Sequence, residues 1–206
     1  MALSNTNTDM VNKNKWSDHY SRRAREEKWL ARSVYKLEEI DKKYKLLHKR
    51  PLILDLGCYP GSWSQYCIKT IGKSGEVIGI DLKRPNHLSS PIFRFIEADI
   101  LTSNIEWLAN QIGQRDLVLS DIAPKTTGVS VADTSRSMEL AQKAFEIALT
   151  VLNRNGHFLC KVFEGEELIL FKKRFSDYFR YVRLIRPRAI RKRSREIYVL
   201  GQEFKK

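Results

Sequence analysis

A lysine stands inside an apolar run in the last quarter of the chain, at a position where a hydrocarbon side chain is typical. Lys161 interrupts the segment from His157 to Phe163, H-F-L-C-K-V-F, a pattern typical of a strand buried on both faces of a parallel sheet. Because lysine is almost never fully buried without a partner, three interpretations are open. The methylene chain of the lysine could place the amine at the edge of the sheet, the amine could form an ion pair with a nearby acid, or the amine could act on a substrate.

Three further charged residues could lie near Lys161. Asp121 ends the preceding buried-strand pattern, which runs from Asp116 to Pro124. Glu196 begins the last strand pattern, and if that strand is antiparallel its start lies at the same edge of the sheet. Lys36 belongs to a basic helix that could cover this edge. Two lysines and two carboxylates could therefore converge, which is a set suited to general acid–base chemistry.

A glycine turn near residue 57 predicts a ligand site beside these four residues. The stretch from Leu52 to Trp63, L-I-L-D-L-G-C-Y-P-G-S-W, reads as a strand, a turn and a helix start. A dinucleotide fingerprint needs a middle glycine for the pyrophosphate, and bulky residues stand between Gly57 and Gly61. A nucleoside without phosphates fits better, with Asp81 at the end of the next strand accepting both ribose hydroxyls. An ordinary tight turn is the alternative.

Strand patterns alternate with helix patterns along the chain, which predicts an α/β fold: a doubly wound, mostly parallel sheet with helices on both faces and ligands at the carboxyl ends of the strands. The last strand is predicted to be antiparallel because its connection from the preceding strand is short. The predicted helices are Asp18 to Lys45, Ser62 to Ile71, Ile105 to Ile112, Thr134 to Leu152 and Glu166 to Phe179. Asn155-Gly156 is interpreted as a C-cap of the fourth.

Composition limits the kind of protein this can be. The 206 residues are enough for one domain with a substantial core, which we place at 17–206 behind a flexible polar tail at 1–16. The three cysteines form no C-x-x-C pair, so we expect neither a disulfide nor a bound metal. No run of 18 apolar residues and no secretory signal is present, so we expect a cytoplasmic monomer without a membrane segment.

The net charge of +13 is concentrated at the two ends of the chain. Residues 1–50 carry 13 basic and 7 acidic side chains, residues 51–171 carry 11 and 14, and residues 172–206 carry 13 and 3. Basic flanks on a mildly acidic middle favour a polyanion partner such as RNA, because every neutralised phosphate releases counterions. A solvated surface that only keeps the protein soluble is the alternative.

The four charged residues and the motifs around them resemble the FtsJ-like ribose 2′-O-methyltransferases and their K-D-K-E tetrad. The motifs are S-D-I-A-P at Ser120 to Pro124, K-V-F at Lys161 to Phe163 and S-R-E at Ser194 to Glu196. The resemblance covers about residues 17–202. It implies a Rossmann-like class I methyltransferase fold with seven strands, the seventh antiparallel.

The resemblance also implies a function. The chain would transfer a methyl group from S-adenosyl-L-methionine to a ribose 2′-hydroxyl, with a uridine of 23S ribosomal RNA, within a large subunit or its precursor, as the target. An uncharged amine at Lys161 would take the hydroxyl proton, and Asp121 and Glu196 would orient the amine and the ribose. The implied catalytic residues are Lys36, Asp121, Lys161 and Glu196, and the implied cofactor-binding residues are Gly57, Pro60, Gly61, Trp63, Asp81, Asp99 and Asp121. The family's P-G-G-W is Pro60-Gly61-Ser62-Trp63 here, with Cys58-Tyr59 before it.

Other functions remain open at this stage. An adenine amino-methyltransferase would explain Asp121-Ile122-Ala123-Pro124 but not Lys161, and Lys125 stands where that class has an aromatic residue. A non-catalytic RNA-binding or ribosome-assembly module could keep the same fold, as could methylation of another RNA such as transfer RNA. A nicotinamide dehydrogenase is disfavoured by the missing middle glycine.

Overall fold

A computed structural model describes residues 19–191 and 194–206. The first helix, α1, covers residues 19–26 of the described range. The other helices are α2 (Val34–Tyr44), α3 (Ser62–Ile71), α4 (Ile105–Ile112), α5 (Ser130–Val151) and α6 (Leu168–Tyr178). The strands are β1 (Leu52–Leu56), β2 (Glu76–Asp81), β3 (Phe93–Glu97), β4 (Arg115–Ser120), β5 (Leu152–Phe163), β6 (Phe179–Ile185) and β7 (Glu196–Phe204).

Seven strands form one sheet in the order β3-β2-β1-β4-β5-β7-β6. The pairs from β3 through β5 are parallel, and β7 pairs antiparallel with both β5 and β6. The strand order reverses at β1, so a crevice opens at the carboxyl ends of β1 and β4, which is where ligands bind in sheets of this kind. The predicted fold class and the antiparallel seventh strand are confirmed.

Both faces of the sheet are buried, which explains why the central strands read as continuous apolar runs. On one face Val118 and Phe158 pack with Phe145 of α5. On the other face Leu117 and Leu159, each one residue away, pack with Leu37 of α2 and with α3. Because side chains alternate along a strand, the position of a polar residue in a central strand determines which set of helices its side chain faces.

The predicted helix from Asp18 to Lys45 is divided in two, and its first residue lies outside the described range. The backbone of Lys28 has a φ of 58°, a left-handed conformation that an α-helix cannot continue through. Trp29 then packs half-buried against Tyr66, and Tyr35 is buried, so both aromatic residues belong to the core.

The predicted C-cap at Asn155-Gly156 is wrong. Helix α5 ends at Val151 and β5 begins at once at Leu152, so Asn155, with a φ of 63°, lies inside the strand. The pairing of β4 with β5 shifts register between Arg115 and Leu117, and the left-handed asparagine takes up the extra residues. A strand irregularity and a helix cap use the same residue types, which is why the pattern was ambiguous.

The predicted tail at 1–16 and the start of the predicted domain at residue 17 lie outside the described residues. Among the helices that the structure describes, none combines the length and apolar character needed to cross a bilayer.

Candidate active site

The four charged residues predicted from the sequence converge at the carboxyl end of the central strands. Lys161 lies near the end of β5, Asp121 directly follows β4, Glu196 begins β7 and Lys36 is on the first turn of α2. Lys161 and Leu159 alternate onto the same face, the one covered by α2 and α3. The antiparallel direction of β7 brings its first residue back to this edge, as expected.

Lys161 is buried and held by Asp121. Its Nζ is 3.0 Å from Asp121 Oδ1 and also donates a hydrogen bond to the backbone oxygen of Asp121. An amine nitrogen has three bonding positions besides Cε, and these contacts use two of them. One position remains for a further partner, and when the amine is uncharged that position is a lone pair.

Lys36 and Glu196 form the second pair. The Nζ of Lys36 donates a hydrogen bond of 2.7 Å to Glu196 Oε2, and both side chains are largely buried. They line an open pocket of about 480 Å³, whose other lining residues are Arg32, Ser33, Arg191 and Ser194. The pocket thus has a cationic wall above a paired amine and carboxylate, a surface suited to a negatively charged chain that presents a hydroxyl group.

Tyr198 joins the two pairs and was missed by the sequence reasoning. Its hydroxyl donates a hydrogen bond of 2.7 Å to Asp121 Oδ1, and the Nζ of Lys36 is 5.9 Å from the centre of its ring. The ring is fully buried and lies across from Lys161 in the pairing of β5 with β7. Strand alternation was the signal that could have found it, because residues 196 and 198 share one face.

These partners determine the charge on Asp121. Burial alone would raise its pKa, but Lys161, Lys36 and the hydroxyl of Tyr198 outweigh burial and bring the pKa below the ordinary value. Burial, together with the nearby charge of Asp121, raises the pKa of Tyr198 well above its usual range, so the phenol remains a donor. Asp121 is therefore an acceptor at neutral pH.

The glycine turn has the shape of a close-approach site. Gly57 has a φ of 74° and Gly61 a φ of 112°, both in the region that favours glycine. A Cβ on Gly57 would collide with Ile122, and one on Gly61 would crowd Leu30 and Pro85. Gly61 is also the residue before α3, so the unpaired N–H groups of that helix start at the turn.

The remaining predicted cofactor residues lie at the ends of β1, β2 and β3. Both carboxylate oxygens of Asp81 accept backbone hydrogen bonds, from Tyr59 and Lys83, and keep lone pairs for further donors. Asp99 caps its own turn through a hydrogen bond from the backbone of Leu101. Pro60 lies half-buried in the turn and follows a cis peptide bond.

Trp63 does not present its side chain to the turn. Its indole is buried, donates a hydrogen bond of 2.9 Å to the backbone oxygen of Ser33, and packs against Tyr198 with the ring centroids 5.8 Å apart. Its backbone N–H belongs to the first turn of α3, where N–H groups have no partner within the helix. The Oγ atoms of Ser33 and Ser62 are 2.8 Å apart, so two contacts join the glycine turn to the helix that carries Lys36.

Asp55 is a second residue that sequence reasoning did not assign to the site. It is 1% exposed in β1, and Ser64 donates a hydrogen bond of 2.6 Å to its Oδ2, while Oδ1 has no partner in the described part of the chain. Burial raises the pKa of Asp55 to about 7 in spite of that hydrogen bond. A buried carboxyl that lacks one partner, next to a glycine turn, fits a site that a polar ligand completes.

The sheet order, the antiparallel β7 and the nucleoside-type turn together define a Rossmann-like methyltransferase fold. The model of the FtsJ-like methyltransferase family matches residues 29–204, and the chain belongs to that family. It is 44% identical over 190 residues to a ribosomal RNA large subunit methyltransferase E from Desulfatibacillum aliphaticivorans, covering 92% of this chain and 91% of the relative. A protein of the same name from Borreliella afzelii is 42% identical, covering 92% of this chain and 100% of the relative.

Solved structures agree with the fold. A ribosomal RNA methyltransferase from Plasmodium falciparum superposes with a TM-score of 0.74 at 31% identity, covering 85% of this chain and 98% of that one. A human methyltransferase-like protein 13 in complex with SAH superposes with a TM-score of 0.54 over 77% of this chain and 75% of its own. At 16% identity this second likeness concerns the fold alone.

Proposed function

We propose that this chain transfers a methyl group from S-adenosyl-L-methionine to a ribose 2′-hydroxyl of large-subunit (23S) ribosomal RNA. One observation carries the proposal: the Lys161–Asp121 and Lys36–Glu196 pairs lie at one edge of the sheet, beside the glycine turn at Gly57 and Gly61. The names of the relatives and the family model support the same reaction class and RNA partner.

The residues of the turn fit S-adenosyl-L-methionine. Asp81 has free lone pairs for the two ribose hydroxyls, Asp99 lies at the end of the next strand for the adenine, and the helix after Gly61 begins with unpaired N–H groups. Asp121 lies between this turn and Lys161, where a carboxylate suits the amino group of the methionine end. When bound, the cofactor supplies an electrophilic methyl group on a sulfonium.

Lys161 is the general base of the proposed mechanism. In its uncharged form it donates its two hydrogens to the backbone oxygen and the carboxylate of Asp121, which leaves the lone pair for the 2′-hydroxyl. Lys161 would take the proton of the 2′-hydroxyl while that oxygen receives the methyl group that the sulfonium of the cofactor would supply. Lys36 and Glu196, at the pocket surface, hold the ribose in line.

Radiolabelled methyl transfer followed by nuclease mapping tests the reaction. The purified chain, labelled cofactor and large-subunit RNA that lacks the modification are expected to give label on a ribose 2′-oxygen. Label on a base would instead point to an amino-methyltransferase. No transfer, with RNA binding retained, would point to a binding module of the same fold.

The state of the RNA is the finer part of the proposal. Phosphate contacts carry no sequence information, so we expect the assembled large subunit, or a precursor of it, to supply part of the specificity to a monomeric enzyme. Initial rates on naked RNA and on isolated large subunits from cells that lack the modification compare the two substrates. Equal rates would count against a particle substrate.

A further inference from the structure

A second basic surface lies at the opposite edge of the sheet from the site described above. Two adjoining open cavities, of about 480 and 360 Å³, share His48, Lys49 and Arg50 as lining residues. Lys45 lines the first cavity and Arg154 the second. We name these five residues the amino-edge patch, because they surround the amino ends of β1, β4 and β5. The length of β1, about 16 Å, separates this edge from the glycine turn.

Three cations of the amino-edge patch have no acidic partner among the residues that the structure describes, and the fourth, Arg50, lies near the charges of Asp116 and Glu203. Lys45, Lys49 and Arg154 are exposed and form none of the observed ion pairs. Two acids also line the cavities, but their carboxylates serve the fold. Asp41 accepts hydrogen bonds from Leu47 and Tyr66, and Asp116 accepts them from Leu52 and Asn153.

Backbone conformation gives an independent reason to regard these charges as functional. Lys45 has a φ of 55° and Lys49 a φ of 56°, and Asn155, next to Arg154, has a φ of 63°. Glycine or asparagine would adopt this left-handed conformation at lower cost than lysine does. Residues in sparsely populated conformations concentrate at sites of function, so lysine at both positions is consistent with a demand for positive charge.

Helix electrostatics explains only part of the patch. Helix α2 ends at this edge, and cations near a helix C-terminus are stabilised by the exposed carbonyl groups, which accounts for Lys42, Lys43 and in part Lys45. Lys49 lies beyond the helix, and Arg154 is carried by the irregular start of β5. Their placement in one patch therefore needs another partner.

We propose that the amino-edge patch binds the phosphate backbone of RNA, so that the enzyme holds a second segment of its substrate while the first is methylated at the opposite edge. This inference rests on the proposed RNA substrate and adds a contact surface to it. Spaced, unpaired lysine and arginine side chains around a shallow surface suit phosphate groups, which are recognised through charge without regard to sequence.

The test removes three charges without straining the fold. In the triple variant Lys45→Asn, Lys49→Asn and Arg154→Gln, asparagine adopts the two left-handed positions more easily than lysine, so the melting temperature is expected to hold or rise. Binding of a full-length large-subunit RNA transcript is measured over a range of salt concentrations. We expect affinity to fall about tenfold or more at 0.1 M salt, and the slope of log K against log salt to fall by about 2 to 3.

A matched control removes the same charge elsewhere. The variant Lys172→Gln, Lys173→Gln and Lys206→Gln keeps the patch and is expected to change the salt slope little. In methylation assays the patch variant should raise KM for the transcript and leave kcat at saturating RNA and cofactor binding unchanged.

Three outcomes would overturn RNA binding by the amino-edge patch. The patch variant could bind the transcript as tightly as the unaltered chain, or the control variant could lose as much affinity for the transcript. In a parallel measurement with phosphatidylglycerol vesicles, the patch variant could lose affinity for the vesicles alone. Each leaves the proposed methyl transfer standing. Failure of the unaltered chain to bind or methylate the transcript would instead count against the proposed function.

Discussion

Two carboxyl groups at the same edge of the sheet, one fully and one largely buried, have opposite properties. Asp55 belongs to β1 and Asp121 follows β4, the strand beside it, and both lie on the side of the sheet that α2 and α3 cover. Burial raises the pKa of Asp55 to about 7, and the hydrogen bond from the Ser64 hydroxyl offsets only part of that rise. Asp121 has two lysines and a phenol, which overcome burial and lower its pKa.

The difference shows that the residue type alone does not define this site. A buried carboxyl next to cations is a fixed negative charge that can hold an amine, whereas a buried carboxyl without cations gains and loses a proton near neutral pH. The fixed charge of Asp121 suits the end of the pocket that holds Lys161. The titratable carboxyl of Asp55 suits the cofactor turn, where a ligand can supply the missing partner of its Oδ1. Substitutions at Asp55, or at the partners of Asp121, should show this difference between the two carboxyl groups.

The largest effect is expected for Lys161→Ala. The substitution removes the proposed base and the nearest cation of Asp121, so the methylation rate should fall by at least about 10²- to 10⁴-fold. The glycine turn is untouched, so cofactor binding measured by calorimetry should survive. Near-normal turnover in this variant would rule out the mechanism. Lys173→Ala, an exposed lysine of α6, is the matched control and should turn over normally.

The convergence of Lys36, Asp121, Lys161 and Glu196 could be predicted because each residue lies at a strand end or on a covering helix. Alternation and strand direction place such positions without knowledge of side-chain packing. The predicted bounds of α3 and α4 are confirmed, because glycine or asparagine flanks each helix and the apolar period continues between these residues.

The partners of these residues could not be predicted in this way. Whether Asp55 or Asp121 meets a lysine depends on which side chains fill the space above each strand, and a pattern of apolar positions does not contain that information. The break at Lys28 and the irregular strand at Asn155 follow from tertiary packing that overrides the local helix signal.

Asp55→Asn tests the second carboxyl through stability. Because the folded-state pKa of Asp55 is raised to about 7, the native state binds the proton more tightly than the unfolded chain, and stability falls as pH rises from about 4 to about 7. The unaltered chain without cofactor should therefore lose about 2 to 3 kcal/mol more than the variant between pH 5 and pH 8, measured by urea unfolding. Parallel pH profiles would show that Asp55 is ionised throughout.

The smallest effect is expected for Tyr198→Phe, which keeps the buried ring and removes the hydrogen bond to Asp121. Loss of that donor leaves Lys161 and Lys36 in place, so the pKa of Asp121 should rise without reaching that of Asp55. We expect kcat to fall about tenfold, in keeping with a hydrogen bond to a charged group.

The pH profile separates a positioning role from a merely structural one. Activity requires an uncharged Lys161 beside an ionised Asp121. Without the hydrogen bond from the phenol, the carboxylate holds the proton of that amine more strongly, so the acid limb of kcat should move to higher pH in Tyr198→Phe, whereas a packing defect would lower kcat at every pH alike. Tyr181 is an exposed ring on β6, so Tyr181→Phe is the control and should leave both kcat and the pH of its acid limb unchanged. An unmoved acid limb would mean that the two lysines alone keep Asp121 charged, and that the contrast with Asp55 comes from cations without help from the phenol.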